Sequence, residues 1–232
     1  MESLSWSPAA GAELRAALGY RRGRDAVDDQ RGEVVRRTTA GGETWATPLG
    51  AAGLVYRKLR HGRPAATQRE WRNLQALAAA GLRVPAACFV ARDGARSAVG
   101  VAAAEGRSLF ELLAAAGTLD AARPYLLQQV APTVARLHQL GYVHRDLYWH
   151  HLFAARLDAR DGPPVLIDLE RAFRPFWRRQ RWVVKDLAAL LASWPRPGGG
   201  RVLALAFLRA YLGGSLRPGW KALARRALRK AE

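Results

Sequence analysis

The spacing of apolar positions changes character along the chain. Positions 4–20 carry a short Ala/Leu pattern that predicts one helix, and 21–31 are polar and charged, a flexible lead-in. From Gly32 the texture becomes strand-like. Positions 32–38 read as a strand, Ala40-Gly41-Gly42 as a turn, 43–46 as the returning strand and 54–59 as a third, alternating strand. Pro64 then opens a helix over 65–80, where Trp71, Leu74 and Leu77 recur at three-residue steps and Gly81 ends the run. Two further strands, 86–91 and 97–103, flank an Asp93-Gly94 turn. Glu105-Gly106 breaks this pattern, and helices dominate afterwards. They are expected at 108–116, 120–140, 182–193, 201–212 and 219–231, with Pro132 kinking or splitting the second. Positions 141–170 are short apolar segments around polar residues, the texture of an active-site loop and hairpin. The expected organisation is a 1–30 extension, a β-rich 31–104 region with one helix, and a mostly helical 105–232 region.

Composition narrows the class. Half of the 232 residues are hydrophobic and 24% are charged, which excludes wholesale disorder. Cys88 is the one cysteine, so no intramolecular disulfide forms, and a reducing, cytoplasmic compartment is expected. No apolar run approaches the roughly 18–20 residues that span a bilayer, and no basic-then-apolar leader opens the chain. The net charge is +18, and lysine occurs only at 58, 185, 221 and 230, so 33 of the 37 basic residues are arginine. Such basicity points to an anionic partner or to a GC-rich coding bias, and position must decide between them. No nucleic-acid motif appears, so no nucleic-acid partner is expected.

The strongest chemical signal is His144-Arg145-Asp146-Leu147-Tyr148-Trp149-His150-His151. Phosphoryl transfer to a hydroxyl needs a carboxylate beside the attacking oxygen. Protein kinases supply it in H-R-D-x-x-x-x-N, whose Asn contacts a metal ion. Here Asp146 holds the Asp position and His151 the Asn position. Pro164-Val165-Leu166-Ile167-Asp168 follows, an apolar strand ending in a carboxylate suited to Mg²⁺. Alone, Asp168 reads as a turn residue; the pairing with H-R-D favours metal binding. Upstream, Lys58 ends an apolar strand as the kinase phosphate-binding lysine does, and Glu70 lies on the next helix as its partner. No G-x-G-x-x-G joins the first two strands, and Gly41-Gly42 is the sole candidate for a turn over phosphates.

Three stretches together resemble a family of lipopolysaccharide core kinases, the Kdo/WaaP type. They are the run from Gly141 through His144-Arg145-Asp146 to Phe153, then Val165-Leu166-Ile167-Asp168-Leu169-Glu170-Arg171, then Arg181-Trp182-Val183-Val184-Lys185-Asp186-Leu187. The resemblance implies an α+β, bilobal, protein-kinase-like fold with a small β-rich N-lobe and a compact helical C-lobe. It implies ATP and Mg²⁺, an acceptor hydroxyl on Kdo or heptose of the inner core, and lipopolysaccharide core or a lipid A precursor as partner. Read through it, Asp146 is the catalytic base, Lys58 and Glu70 serve the ATP phosphates, and His151 with Asp168 holds Mg²⁺. Asp186 is structural, accepting backbone hydrogen bonds from the catalytic loop. Other acceptors stay open, a small molecule or a protein hydroxyl, as does a catalytically silent module on an anionic membrane.

Arg171, Arg174, Arg178 and Arg179 interleave with Phe173, Phe176, Trp177 and Trp182, a composition suited to an anionic substrate beside a sugar face or a membrane interface. The last helix sets Trp220, Leu223, Ala227 and Leu228 against basic residues, as helices on a membrane surface do. These two places make the cytoplasmic face of an anionic inner membrane an expected location.

Overall fold

In the computed structural model, two sets of residues cluster separately. The residues described are all but 40, 117, 196–200, 214–219 and 232. One unit comprises Met1–Ala79, Val84–Ala104 and Leu169–Arg171; the other comprises Ala80–Arg83, Glu105–Asp168 and Ala172–Glu232.

The first unit begins with β1 (Glu2–Trp6), α1 (Ala12–Leu18) and α2 (Gly23–Asp28). Next come β2 (Glu33–Arg37), β3 (Glu43–Pro48), β4 (Leu54–His61), α3 (Pro64–Ala79), β5 (Ala87–Asp93) and β6 (Arg96–Ala102). The strands form one sheet in the order β1-β5-β6-β4-β3-β2, antiparallel throughout. Strand residues alternate between two faces, and both faces are covered. Helix α3 buries Trp71, Leu74 and Leu77 on the face that carries Lys58. The opposite face carries Val55, Leu59, Phe89, Ala91 and Ala98, which pack with Leu18, Tyr20, Ala26 and Val27.

Residues 1–30 are therefore part of the sheet unit, not an extension. In place of one helix over 4–20 and a flexible 21–31, they form an edge strand, in which Glu2 to Trp6 register with Asp93 to Phe89, and two short helices. Helix α2 opens with a capping box in which Asp25 takes the Arg21 and Arg22 amides at 2.7 Å. The segment is pinned from beneath by Arg57, 1% exposed, which donates to the carbonyls of Ala26 and Asp29 and lies 5.2 Å from the Trp45 ring. Burial lowers the Arg57 pKa and raises that of Tyr20, whose hydroxyl donates to Asp29.

The second unit contains β7 (Arg107–Ser108), α4 (Leu109–Ala115), α5 (Leu119–Tyr125), α6 (Ala131–Gln139), β8 (Leu152–Ala154), β9 (Val165–Leu166), α7 (Arg179–Ala192), α8 (Arg201–Tyr211) and α9 (Trp220–Ala231). The three short strands form a sheet in the order β7-β8-β9. The helix expected over 120–140 runs through α5 and α6 with one wide π turn, Leu126–Val130, between them. The turn lies just before Pro132, and the Ala131 amide reaches back five residues to the Leu126 carbonyl. A wide turn accommodates the proline ring and its missing N–H without breaking the helix. Leu109, Leu113, Leu126, Leu137, Leu147, Trp149 and Phe207 are fully buried and form the core. Helix α9 buries Leu223, Ala224 and Ala227 and packs on α7, so its apolar face is used within its own unit; Arg225, Arg226 and Arg229 stay exposed. The Pro/Gly-rich residues 196–200 and residue 219 lie outside the described residues, as do the side chains of Trp220 and Lys221.

Candidate active site

In the sheet unit, Lys58 sits in mid-strand on β4, opposite Thr44 on one side and Val99 on the other. Twelve residues on, Glu70 lies one and a half turns into α3, and the Lys58 Nζ reaches its Oε1 at 2.5 Å. Both side chains are largely shielded, 13% and 2% exposed. An ion pair in such surroundings orders a lysine whose ammonium serves as a compact point charge. The same unit holds Leu169–Arg171: Asn73 Nδ2 donates to the Leu169 carbonyl at 2.9 Å, and Arg60 pairs with Glu170 at 2.6 Å.

The expected phosphate-covering turn differs. The amides of Gly41 and Gly42 both donate to Thr38, to its carbonyl at 3.0 Å and its hydroxyl at 2.9 Å. A donor already satisfied within its own turn is not presented to an anion, so the Gly41-Gly42 turn is a tight hairpin that closes on itself. Ala40 lies outside the described residues.

In the helical unit, the loop from His144 to His151 is organised around Asp186, 1% exposed on α7. Its carboxylate accepts the His144 amide at 2.6 Å and the Arg145 amide at 2.8 Å, with His138 Nε2 at 3.1 Å. His138 in turn contacts the Tyr211 hydroxyl at 2.9 Å. Leu147 and Trp149 are fully buried and fasten the loop to the core, Trp149 against Trp194 and Phe207. His144 Nε2 donates to the Ile167 carbonyl at 3.0 Å, and the Ile167 amide donates to the His151 carbonyl at 3.0 Å. Burial lowers the His144 pKa, in keeping with a neutral ring.

These bonds bring Asp146, His151 and Asp168 onto one framework. His151 Nδ1 donates to the Asp146 carbonyl at 2.6 Å. In a neutral imidazole that leaves the lone pair on Nε2. Nε2 lies 3.8 Å from Asp168 Oδ2. A nitrogen lone pair and a carboxylate oxygen so placed form a donor pair that fits a divalent cation, though nitrogen is a less natural Mg²⁺ ligand than oxygen. Arg145 and Asp168 have positive φ, 74° and 57°. Such backbone is costly for a side-chain-bearing residue and persists where surrounding bonds enforce it, commonly at functional sites.

The arginine segment divides. Arg174 lies over the Tyr142 ring at 4.6 Å. Arg179 donates to the His138 carbonyl, so this predicted substrate residue caps the end of α6. Arg178 starts α7 in a left-handed conformation, φ 51°. Arg171 is exposed in the sheet unit. His150 stacks on Phe110 at 3.8 Å. Spacing along the chain did not reveal His138, Tyr211, Asn73 or Arg60, because each acts on a partner 73 to 110 residues away or through Asp186, 48 residues on.

A β-sheet unit with a buried Lys–Glu pair, joined in one chain to a helical unit whose H-R-D loop hangs from a helix aspartate, defines a kinase-like phosphotransferase that acts on a hydroxyl. The solved structures described as "WaaP in complex with acyl carrier protein" and "Crystal structure of aminoglycoside-3'-phosphotransferase of type VIII" share the fold. The first is 24% identical at a TM-score of 0.79, covering 99% of this chain and 98% of its own. The second is 18% identical at 0.61, covering 96% and 100%. Residues 25–211 match the lipopolysaccharide kinase (Kdo/WaaP) family, and the chain belongs to it. No curated protein matches the sequence.

Proposed function

We propose that this lipopolysaccharide kinase transfers the γ-phosphoryl group of ATP to a hydroxyl of Kdo or heptose in the inner core, on lipopolysaccharide core or a lipid A precursor that carries these sugars, at the cytoplasmic face of an anionic inner membrane. Asp146 orients the acceptor hydroxyl and takes its proton. Lys58, ordered by Glu70, contacts the phosphates. Asp168 and His151 would hold Mg²⁺, which neutralises charge on the phosphates when bound. Asp186 sets the loop that carries Asp146. Arg174 and Arg178, with Arg171, are the candidate contacts to the anionic acceptor. The observation that carries the reading is the convergence of Asp146, His151 and Asp168 on one bonded framework. No helix among the described residues is long and apolar enough to cross a membrane.

The test is phosphate transfer from ATP and Mg²⁺ to purified inner-core lipopolysaccharide. Asp146→Asn lowers kcat about 10²- to 10⁴-fold while the melting temperature holds. Equal rates for the two proteins would end this assignment.

A further inference from the structure

Between the end of the catalytic segment and α7, the chain makes a short loop whose aromatic residues have opposite fates. Phe173 and Trp182 form its base. Their rings meet edge to face at 5.3 Å. Phe173 also exchanges backbone hydrogen bonds with Val143 at 2.9 and 3.1 Å, and the Arg145 guanidinium lies within 5.7 Å of both rings. The tip is Phe176-Trp177. Phe176 is fully exposed and Trp177 is 75% exposed. The left-handed turn at Arg178 follows them at once. A pair of large apolar side chains held in water by a braced loop is costly unless something covers it.

The charge around the tip indicates the covering. From Arg171 to Lys185 the chain has no acidic residue. Arg174, which precedes the pair, is held against the Tyr142 ring, and Arg178 and Arg181 follow it with exposed side chains. Tryptophan beside phenylalanine, ringed by arginine, matches a bilayer interface: rings sit at headgroup depth and guanidinium groups meet phosphates.

We propose that Phe176 and Trp177 form a membrane-insertion tip through which the kinase docks on an anionic lipid surface. The proposal rests on the reading above that the acceptor is a glycolipid, because a lipid-borne sugar must be met where its acyl chains lie. Arginines near an anionic surface each contribute about fivefold to binding, and two inserted rings together about 100-fold.

The experiment is co-sedimentation of the full chain with vesicles of phosphatidylcholine and phosphatidylglycerol, 7:3, and with phosphatidylcholine alone. Wild type should prefer the anionic vesicles. The double variant Phe176→Ser/Trp177→Ser should lose about 100-fold in affinity, keep its melting temperature, and still phosphorylate lipopolysaccharide dispersed in detergent. Equal vesicle binding by both proteins would overturn the proposal. So would a wild-type dimer that the double variant dissociates, since the pair would then be buried in a second copy. If wild type transfers no phosphate to lipopolysaccharide yet loses vesicle binding on substitution, the acceptor assignment fails and the tip stands.

Discussion

Asp186→Ala tests how the catalytic loop is held. The carboxylate is 1% exposed and accepts two backbone amides at 2.6 and 2.8 Å, besides facing His138 Nε2. Alanine leaves the buried His144 amide and the part-buried Arg145 amide with no acceptor in that place. An orphaned buried donor costs about 1–3 kcal/mol, towards the upper end when the lost bond is charge-assisted. Two donors, one of them only part-buried, put the loss at about 2–6 kcal/mol, a large part of the roughly 5–15 kcal/mol that stabilises a typical domain. Asp186→Asn keeps the volume and one acceptor oxygen but turns an N–H donor towards the second amide, so it should lose about half as much. The measurements are chemical denaturation and steady-state phosphotransfer on the same preparations. Asp186→Ala should fall sharply in the denaturation midpoint. In whatever fraction remains folded, kcat should drop more than the KM for ATP rises, because the loop carrying Asp146 is what moves. A midpoint and kcat within error of wild type would refute the idea that this aspartate sets the loop.

Other consequences follow from single contacts. Glu70→Gln removes the charge that orders Lys58 and should lower kcat/KM for ATP about 10- to 100-fold; an unchanged value would separate Lys58 from the phosphates. Burial holds the His144 pKa below 6.5, and its Nδ1 has no partner among the described residues. The unfolded chain therefore binds a proton that the folded one resists. The stability contributed by His144 is complete above pH 6.5 and declines as pH falls below it, and His144→Gln should flatten that slope between pH 7 and 5. Gly100 lies beneath the Phe89 ring, where a Cβ would meet ring carbons at 2.2 Å. Gly100→Ala should cost about 1–3 kcal/mol in urea denaturation, and a neutral result would show the ring shifts freely.

Much of the architecture was legible along the chain because it is local. Alternation marked β4, three-residue apolar steps marked α3, and Gly81 marked its end. The Lys58–Glu70 pair was legible for the same reason, as a strand followed by a helix brings such positions together. The H-R-D loop and Asp168 stood out because the phosphoryl-transfer chemistry proposed for them requires particular side chains in a fixed order. That order also carried the likeness to the lipopolysaccharide kinases that the family match bears out.

Contacts between distant segments were not legible in this way. Positions 4–20 read as one helix and 21–31 as a polar lead-in, yet residues 2–6 form an edge strand whose Trp6 meets Phe89 at 5.7 Å, and α2 covers the sheet, since an edge strand needs a partner that only the folded chain brings near. Arg57 is one arginine among 33 until the fold buries it under the Ala26 and Asp29 carbonyls. Arg179 turned inward to cap α6 while its neighbour Arg178 stayed out, and Phe173 packed while Phe176 did not. Sequence order carries the identity of the proposed reacting groups, because that depends on the covalent side chain alone. Burial, hydrogen-bond partners and exposure depend on which surfaces meet, and these gave one arginine-rich stretch both a structural cap and an exposed aromatic tip.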